Sequence, residues 1–278
     1  TRVVMRGTKS ISGNNNVLYV VDGIPIPNSN GGANASGPFQ GVVSGEGISS
    51  INPEDIETIS ALTGPAASAL YGNQGSNGVI VVTTKKGSTG KLKINISHST
   101  DFFEPFVLPR FQNTYGQADP AQFQSWGAKL TTKSNYRPKE FFETGHNIFN
   151  AISFSGGNEK SQTFFSLATN NALGIIPSNS YNRYNGYLRQ STNFNDRLSV
   201  DFNVMYIKSD DKNMIAQGQY HNPLVGIYLF PPGDDIRKYQ VYSRYDPGRK
   251  LPIQFWPYGN LGLSVENPYW IANEQSNT

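Results

Sequence analysis

Apolar and polar residues alternate with a period of two along much of the chain, the pattern of a strand that buries one face. Leu92, Ile94 and Ile96 alternate with Lys93, Asn95 and Ser97, and Leu198, Val200, Phe202, Val204 and Tyr206 alternate with Ser199, Asp201 and Asn203. Noisier alternation over 148–155, 163–170 and 183–194 predicts three more strands, five in all. Before residue 90 the texture differs. Leu18 to Asp22 and Val79 to Thr84 are nearly continuous in apolar or β-branched residues, which predicts strands buried on both faces. Asn28 to Gly47, dominated by Gly, Asn, Ser and Ala, reads as an exposed loop. Asn52-Pro53-Glu54-Asp55 supplies a cap, a proline at the first helical position and two first-turn acids, so a short helical turn is expected there. A second short helix is expected from Pro65 to Tyr71, ended by Gly72. The fold is therefore read as mainly β, with a mixed α/β unit over 1–90 and antiparallel strands with long loops over 91–278.

The joints between the five strands alternate in length. Gly156 to Lys160 joins the second to the third and Asn195-Asp196-Arg197 the fourth to the fifth, whereas long segments follow the first and the fifth. Short turns at one end and long loops at the other describe a transmembrane β-barrel, and strands of about 10 residues match what a tilted strand needs to cross a bilayer. A soluble antiparallel sandwich also alternates, and periodicity by itself does not choose between the two. Five strands cannot close a membrane barrel, which begins at about eight, so further strands are expected outside this sequence.

Composition supports a turn-rich, aromatic β protein: 28 Gly and 17 Pro, 15 Tyr, 16 Phe and 3 Trp, with 15% charged residues. The net charge of +3 is small and evenly spread, which argues against a nucleic-acid partner. Without cysteine, disulfide frameworks, thiolate metal sites and cysteine nucleophiles are excluded. The longest strongly apolar runs, Val17 to Val21 and Val79 to Val82, fall far short of the roughly 18 residues of a membrane-spanning helix. The first residues lack the apolar core of a signal peptide, and the chain is expected to be a piece of a longer protein.

Local constellations point to no catalytic chemistry. Gly72, Gly75 and Gly78 follow a helix and precede a strand, the reverse of a dinucleotide fingerprint. Gly87 to Lys91 is too short between its glycines for a phosphate loop, and a strand follows it. His98, His146 and His221 have neither an i, i+4 partner nor a carboxylate cluster with ligand spacing, so no metal site is expected. Asp210-Asp211 and Asp234-Asp235 are adjacent acids in polar loops, read as solvated and not as an acid pair across a cleft. Asp22-Gly23-Ile24-Pro25 reads as a strand-reversing turn, its carboxylate bonding amides of that turn. No enzyme activity and no cofactor are expected.

Three segments in order, Leu18 to Ile26, Ile51 to Glu57 and Ala69 to Ile80, resemble the plug domain of the SusC/RagA family of TonB-dependent outer-membrane transporters. The likeness runs on through Thr83-Thr84-Lys85-Lys86-Gly87, Ser153 to Glu159 and Gly174 to Pro177, and so covers most of the chain. It implies a barrel of about 22 strands in the bacterial outer membrane, its lumen closed by the plug. It also implies a TonB-contacting segment before residue 1 and further strands after Thr278. The implied function is energised import of an oligosaccharide or peptide, with a SusD-like surface lipoprotein and TonB with ExbB and ExbD as partners. A soluble glycan-binding β-protein is the alternative. Trp126, Tyr136, Tyr220, Tyr228, Trp256, Tyr258, Tyr269 and Trp270 lie in segments placed outside the membrane. Of these, Trp126, Tyr220, Trp256, Tyr258 and Trp270 are the candidate substrate contacts, against a reading as loop packing or an aromatic girdle. Arg2 and Arg6 flank Val3-Val4-Met5 and are candidates for pairing a plug to a wall carboxylate such as Asp201 in gating, against a reading as solvated arginines.

Overall fold

The computed structural model describes residues 3–5, 7, 15–26, 47–132, 138–258 and 265–274. Two sheets carry the architecture. The first is built from β1 (Leu18–Val21), β2 (Ile24–Ile26), β3 (Ile56–Leu62) and β4 (Val79–Thr84) in the order β2-β1-β4-β3. Strands β1 and β4 pair in parallel, Leu18 opposite Val79 and Val21 opposite Val82, while β2 and β3 join antiparallel on either side. The two continuous apolar segments thus form the centre of the sheet, and Val20, Val79 and Val82 are fully buried. Between β3 and β4 lies α1 (Pro65–Tyr71), which begins with its proline and ends at Gly72, where φ is 61°. Ala67 of α1 packs on Val20 and Val79. Ahead of β3, Asn52 caps a 3₁₀ turn over Pro53–Asp55, its Oδ1 accepting from the Glu54 amide at 3.1 Å.

The second sheet is an antiparallel wall of β5 (Gly90–Phe103), β6 (Gly145–Gly157), β7 (Ser161–Leu173), β8 (Ser180–Asn195) and β9 (Leu198–Lys212), neighbours in sequence order. At 13 to 16 residues each strand exceeds the roughly 9–11 needed to cross a bilayer. The register assigns the two faces. Ile94 lies opposite Phe154, Phe154 opposite Phe165, and Leu188 opposite Val204, so these share one face. On that face Ile94, Ile96, Leu167, Phe202 and Val204 are exposed. The other face carries Ser153, Ser166, Asn185, Arg189, Asp201 and Asn203 and is the one the first sheet packs against, with Met205 reaching Val21 and Val82. A soluble sandwich needs an apolar inner and a polar outer face. This wall is polar inside and apolar outside, as a membrane barrel is, and the sheet is open at β5 and β9.

The link from β4 into β5 is tightly seated. A Cβ on Gly87 would fall 2.4 Å from the Thr163 amide nitrogen, so only glycine fits against β7 there, and the Ser88 amide donates to Ser155 Oγ at 3.0 Å.

The long-loop end holds a finding that periodicity did not predict. The segments after β5, after β7 and after β9 condense into a third apolar core of Phe141, Ile176, Ile227, Phe230, Ile236, Tyr239, Tyr258 and Tyr269. It is framed by α2 (Pro223–Leu229), the hairpin β10 (Ser243–Asp246) with β11 (Leu251–Gln254), and α3 (Pro268–Glu274). Asn222 and Asn267 begin the two helices, their Oδ1 atoms accepting from the Leu224 and Tyr269 amides. The Asn267 Nδ2 also donates to the carbonyls of Tyr239 and Phe255, tying the loops together.

Candidate functional site

A dense polar arrangement lies where the first sheet meets the wall, and it starts at a turn. Asp22 and Gly23 reverse the chain between β1 and β2 with φ of 48° and 87°, a left-handed pair that aspartate and glycine tolerate best. The Asp22 carboxylate does not close its own turn, as the sequence suggested. It accepts from the Thr84 amide at 2.9 Å, at the end of β4, and from the Thr84 hydroxyl.

Arg189 of β8 enters this arrangement from the wall. Its guanidinium lies 3.4 Å from Asp22 Oδ1, donates to Thr84 Oγ1 at 2.9 Å, and grips Asp201 of β9 through two bonds of 3.0 and 2.8 Å. The Arg189 side chain is 8% exposed, and so deeply buried a cation needs both paired charge and hydrogen bonds. Because the Thr84 hydroxyl spends its one proton on Asp22, the Tyr187 hydroxyl 2.6 Å away must donate to it. Asn203 Nδ2 donates to Asp22 at 3.2 Å, and Lys86 stands 3.7 Å from Asp201. One guanidinium thereby bridges a carboxylate of the first sheet and a carboxylate of the wall. A second arginine on the same face of β8, Arg183, donates to the Ser49 carbonyl. Asp55 is also buried at the seam, and burial lifts its carboxyl above the ordinary value.

Of the residues singled out by sequence for gating, Asp201 sits in this cluster, paired with Arg189 and Lys86; Arg2 and Arg6 lie outside the described residues. Asp22, Thr84, Tyr187 and Arg189 were not picked out. The available signal was two arginines six residues apart in one alternating strand, which puts both on one face of a sheet.

Of the five aromatic candidates only Trp256 and Tyr258 are brought together. Trp126 stands out at 86% exposure in the loop between β5 and β6. Tyr220 is half-buried ahead of α2, and Trp270 is half-buried on α3, edge-on to Tyr242 at 6.3 Å. Trp256 and Tyr258 are 5.0 Å apart and both serve the loop core, Tyr258 at 3% exposure, so its ring offers no face to a ligand. Tyr228 and Tyr269 are packed there as well, and Tyr136 is outside the described residues. The acid read as solvated, Asp234, is instead a structural acceptor: Tyr239, Tyr258 and Lys238 donate to it at 2.5, 2.6 and 2.7 Å. Burial would raise its pKa, but these three donors outweigh it and hold the carboxyl below the usual range. Burial, with that carboxylate next, pushes Tyr239 up to about 12 and Tyr258 further. Among the described residues no group of three or more His, Asp or Glu is placed to hold a metal ion.

Comparison with known proteins bears on the same regions. Residues 1–79 match the TonB-dependent Receptor Plug Domain family. The chain is 27% identical to the TonB-dependent receptor SusC of Bacteroides thetaiotaomicron over 100% of its own length and 26% of that protein. It is 26% identical to TonB-dependent receptor P3 of Formosa agariphila over 98% of its length and 24% of the relative. The chain thus spans about a quarter of the length of these curated relatives. Solved structures of the RagAB peptide importer in closed-closed and open-open states share its fold with a TM-score of 0.64 and 20% identity, over 92% of this chain and about a third of theirs. The four-stranded plug sheet, the polar-inside wall and these relatives agree, and together they support a fragment of a SusC/RagA-family TonB-dependent transporter.

Proposed function

We propose that the protein carrying this chain imports a nutrient, an oligosaccharide or a peptide, across the bacterial outer membrane, and that the Arg189 cluster holds its plug seated at rest. The observation that carries the reading is the bridge from Asp22 of the plug through Arg189 to Asp201 of the wall. Such a bridge fixes two surfaces in one register yet consists of a few bonds that a directed pull can break. TonB with ExbB and ExbD supplies that pull in this reading, from the side of the short turns. A SusD-like lipoprotein covers the opposite, long-loop side. Trp126, Tyr220 and Trp270, with rings wholly or partly open to solvent, are the proposed contacts for entering substrate, supported from beneath by Trp256 and Tyr258. Arg2 and Arg6 are proposed to assist Asp201 in gating.

The test is accumulation of labelled oligosaccharides and peptides by cells expressing the intact protein, with and without functional TonB. Uptake that requires TonB, with Arg189→Met raising leak of small solutes through the resting protein, is expected. Uptake indifferent to TonB would sink the importer reading.

A further inference from the structure

At the long-loop end a cavity of about 410 Å³ opens between the loop after β5 and the segment after α2. Its volume falls in the range of small-ligand sites, roughly 300–1,000 Å³. Pro109, Pro138 and Pro232 form much of its wall with Phe111 and Phe230. Phe230 is anchored in the loop core, and Phe111 lies 5.9 Å from Tyr228, so the apolar surface is backed by packed structure.

The polar side chains at this cavity are Arg110, Gln112, Asn113 and Lys139. Prolines bring no backbone N–H. The Gln112 side chain is turned to its own loop, its Nε2 donating to the Tyr115 carbonyl and its Oε1 accepting from the Thr114 and Tyr115 amides. The ammonium of Lys139 is held by Glu104 at 3.1 Å. Arg110 and Asn113 are different: both are exposed at the cavity and make no ion pair or side-chain hydrogen bond with any described residue, and of the two only Arg110 is charged. A neutral oligosaccharide, dense in hydroxyls, would exchange water for apolar walls and lose hydrogen bonds on entry. A ligand with an apolar body and a single carboxylate would lose little and would gain a planar, forked donor matched to that carboxylate.

We propose that this cavity receives the C-terminal end of a short peptide, its apolar last side chain against Phe111 and the prolines and its α-carboxylate on Arg110. The proposal rests on the importer reading and names the substrate class and the end of the substrate that is recognised.

The test uses the purified intact protein in detergent, without TonB, and a fluorescein-labelled Ala-Ala-Pro-Leu peptide as a free acid and as the C-terminal amide, with binding read by anisotropy. The acid is expected to bind at least about tenfold more tightly than the amide, the scale of one charge-assisted hydrogen bond. Arg110→Gln is expected to reduce that ratio to near one. Phe111→Ala is expected to weaken acid and amide alike. Equal binding of acid and amide, or a preference that survives in Arg110→Gln, would overturn the proposal. So would tighter binding of a tetragalacturonate, which carries carboxylates on a sugar. These ratios are independent of energised transport. TonB-independent uptake would remove the importer reading without changing them, and their failure would leave TonB-dependent uptake standing.

Discussion

Arg189 is the residue on which the plug–wall seam turns. Replacing it with methionine keeps the bulk but leaves the Asp22 carboxylate buried beside Thr84 without its cation. Breaking one side of a buried pair typically costs roughly 3–5 kcal/mol. In the intact protein, β1 and β4 amides should then exchange with solvent about 100-fold faster than in wild type; unchanged exchange would show that the bridge does not seat the plug. Gly78 gives an independent check within the plug. Its φ of 102° and the Met5 sulfur 2.7 Å from where a Cβ would sit make Gly78→Ala doubly unfavourable, at roughly 1–3 kcal/mol, read as a lower plug melting temperature or faster proteolysis. Sequence showed Asp22-Gly23 as a turn because turn chemistry is local. It could not show what the carboxylate binds, because its partners arrive from β4, β8 and β9, and long-range pairing leaves no periodic trace in the chain.

Among the elements, the five wall strands were legible because a wall between two different media forces alternation at every position. Phe202 lies on the apolar outer face at 47% exposure while its neighbours Asp201 and Asn203 turn inward to Arg189 and Asp22. Phe202→Leu should be tolerated, and Phe202→Arg should cost roughly 2–4 kcal/mol if near the bilayer midplane, measured as unfolding stability in lipid. The helix from Pro65 to Tyr71 was legible from its proline and terminal glycine. β3 was not, because Glu57 to Ala61 are exposed and mixed in character, so nothing marks them as a strand until β4 offers its edge. Nor was the loop core. Its aromatic residues have no repeat spacing and come from two separate loops, with Ile176 added from a third, so they read as ligand contacts when several are packing. Asp234 tests that core. Its depressed pKa means that its contribution is present above the ordinary aspartate value near 3.8 and is lost as pH falls through its lower folded value. The near-ultraviolet circular dichroism of the loop aromatics should therefore hold at neutral pH and decay only below about pH 4. Asp234→Ala should produce the same loss at neutral pH, at a cost of about 1–3 kcal/mol for each tyrosine hydroxyl left buried without an acceptor.

For the whole molecule, the decisive property is the inversion of polarity across the wall: serine, asparagine and paired charge face the plug, while isoleucine, leucine, valine and phenylalanine face outward. No helix among the described residues is long and apolar enough to cross a membrane, and the strands meet that requirement instead. The intact protein should stay with the membrane fraction through an alkaline carbonate wash and need detergent for release; recovery in the soluble fraction would contradict the outward apolar face.

The close seating of Gly87 and Ser88 against β6 and β7 sets a mechanical limit on any motion of the plug. Only Lys85 to Thr89 separate the last plug strand from the first wall strand, a leash of at most about 17 Å when fully drawn out. Two of its residues are already fastened to the wall, which shortens the free length further. The C-terminal end of β4 is therefore the fixed point of the plug, and the Asp22 turn, bonded to Thr84 at that end, is held beside it. While the leash stays anchored, that end of the plug can be displaced from the wall by no more than the leash's own length.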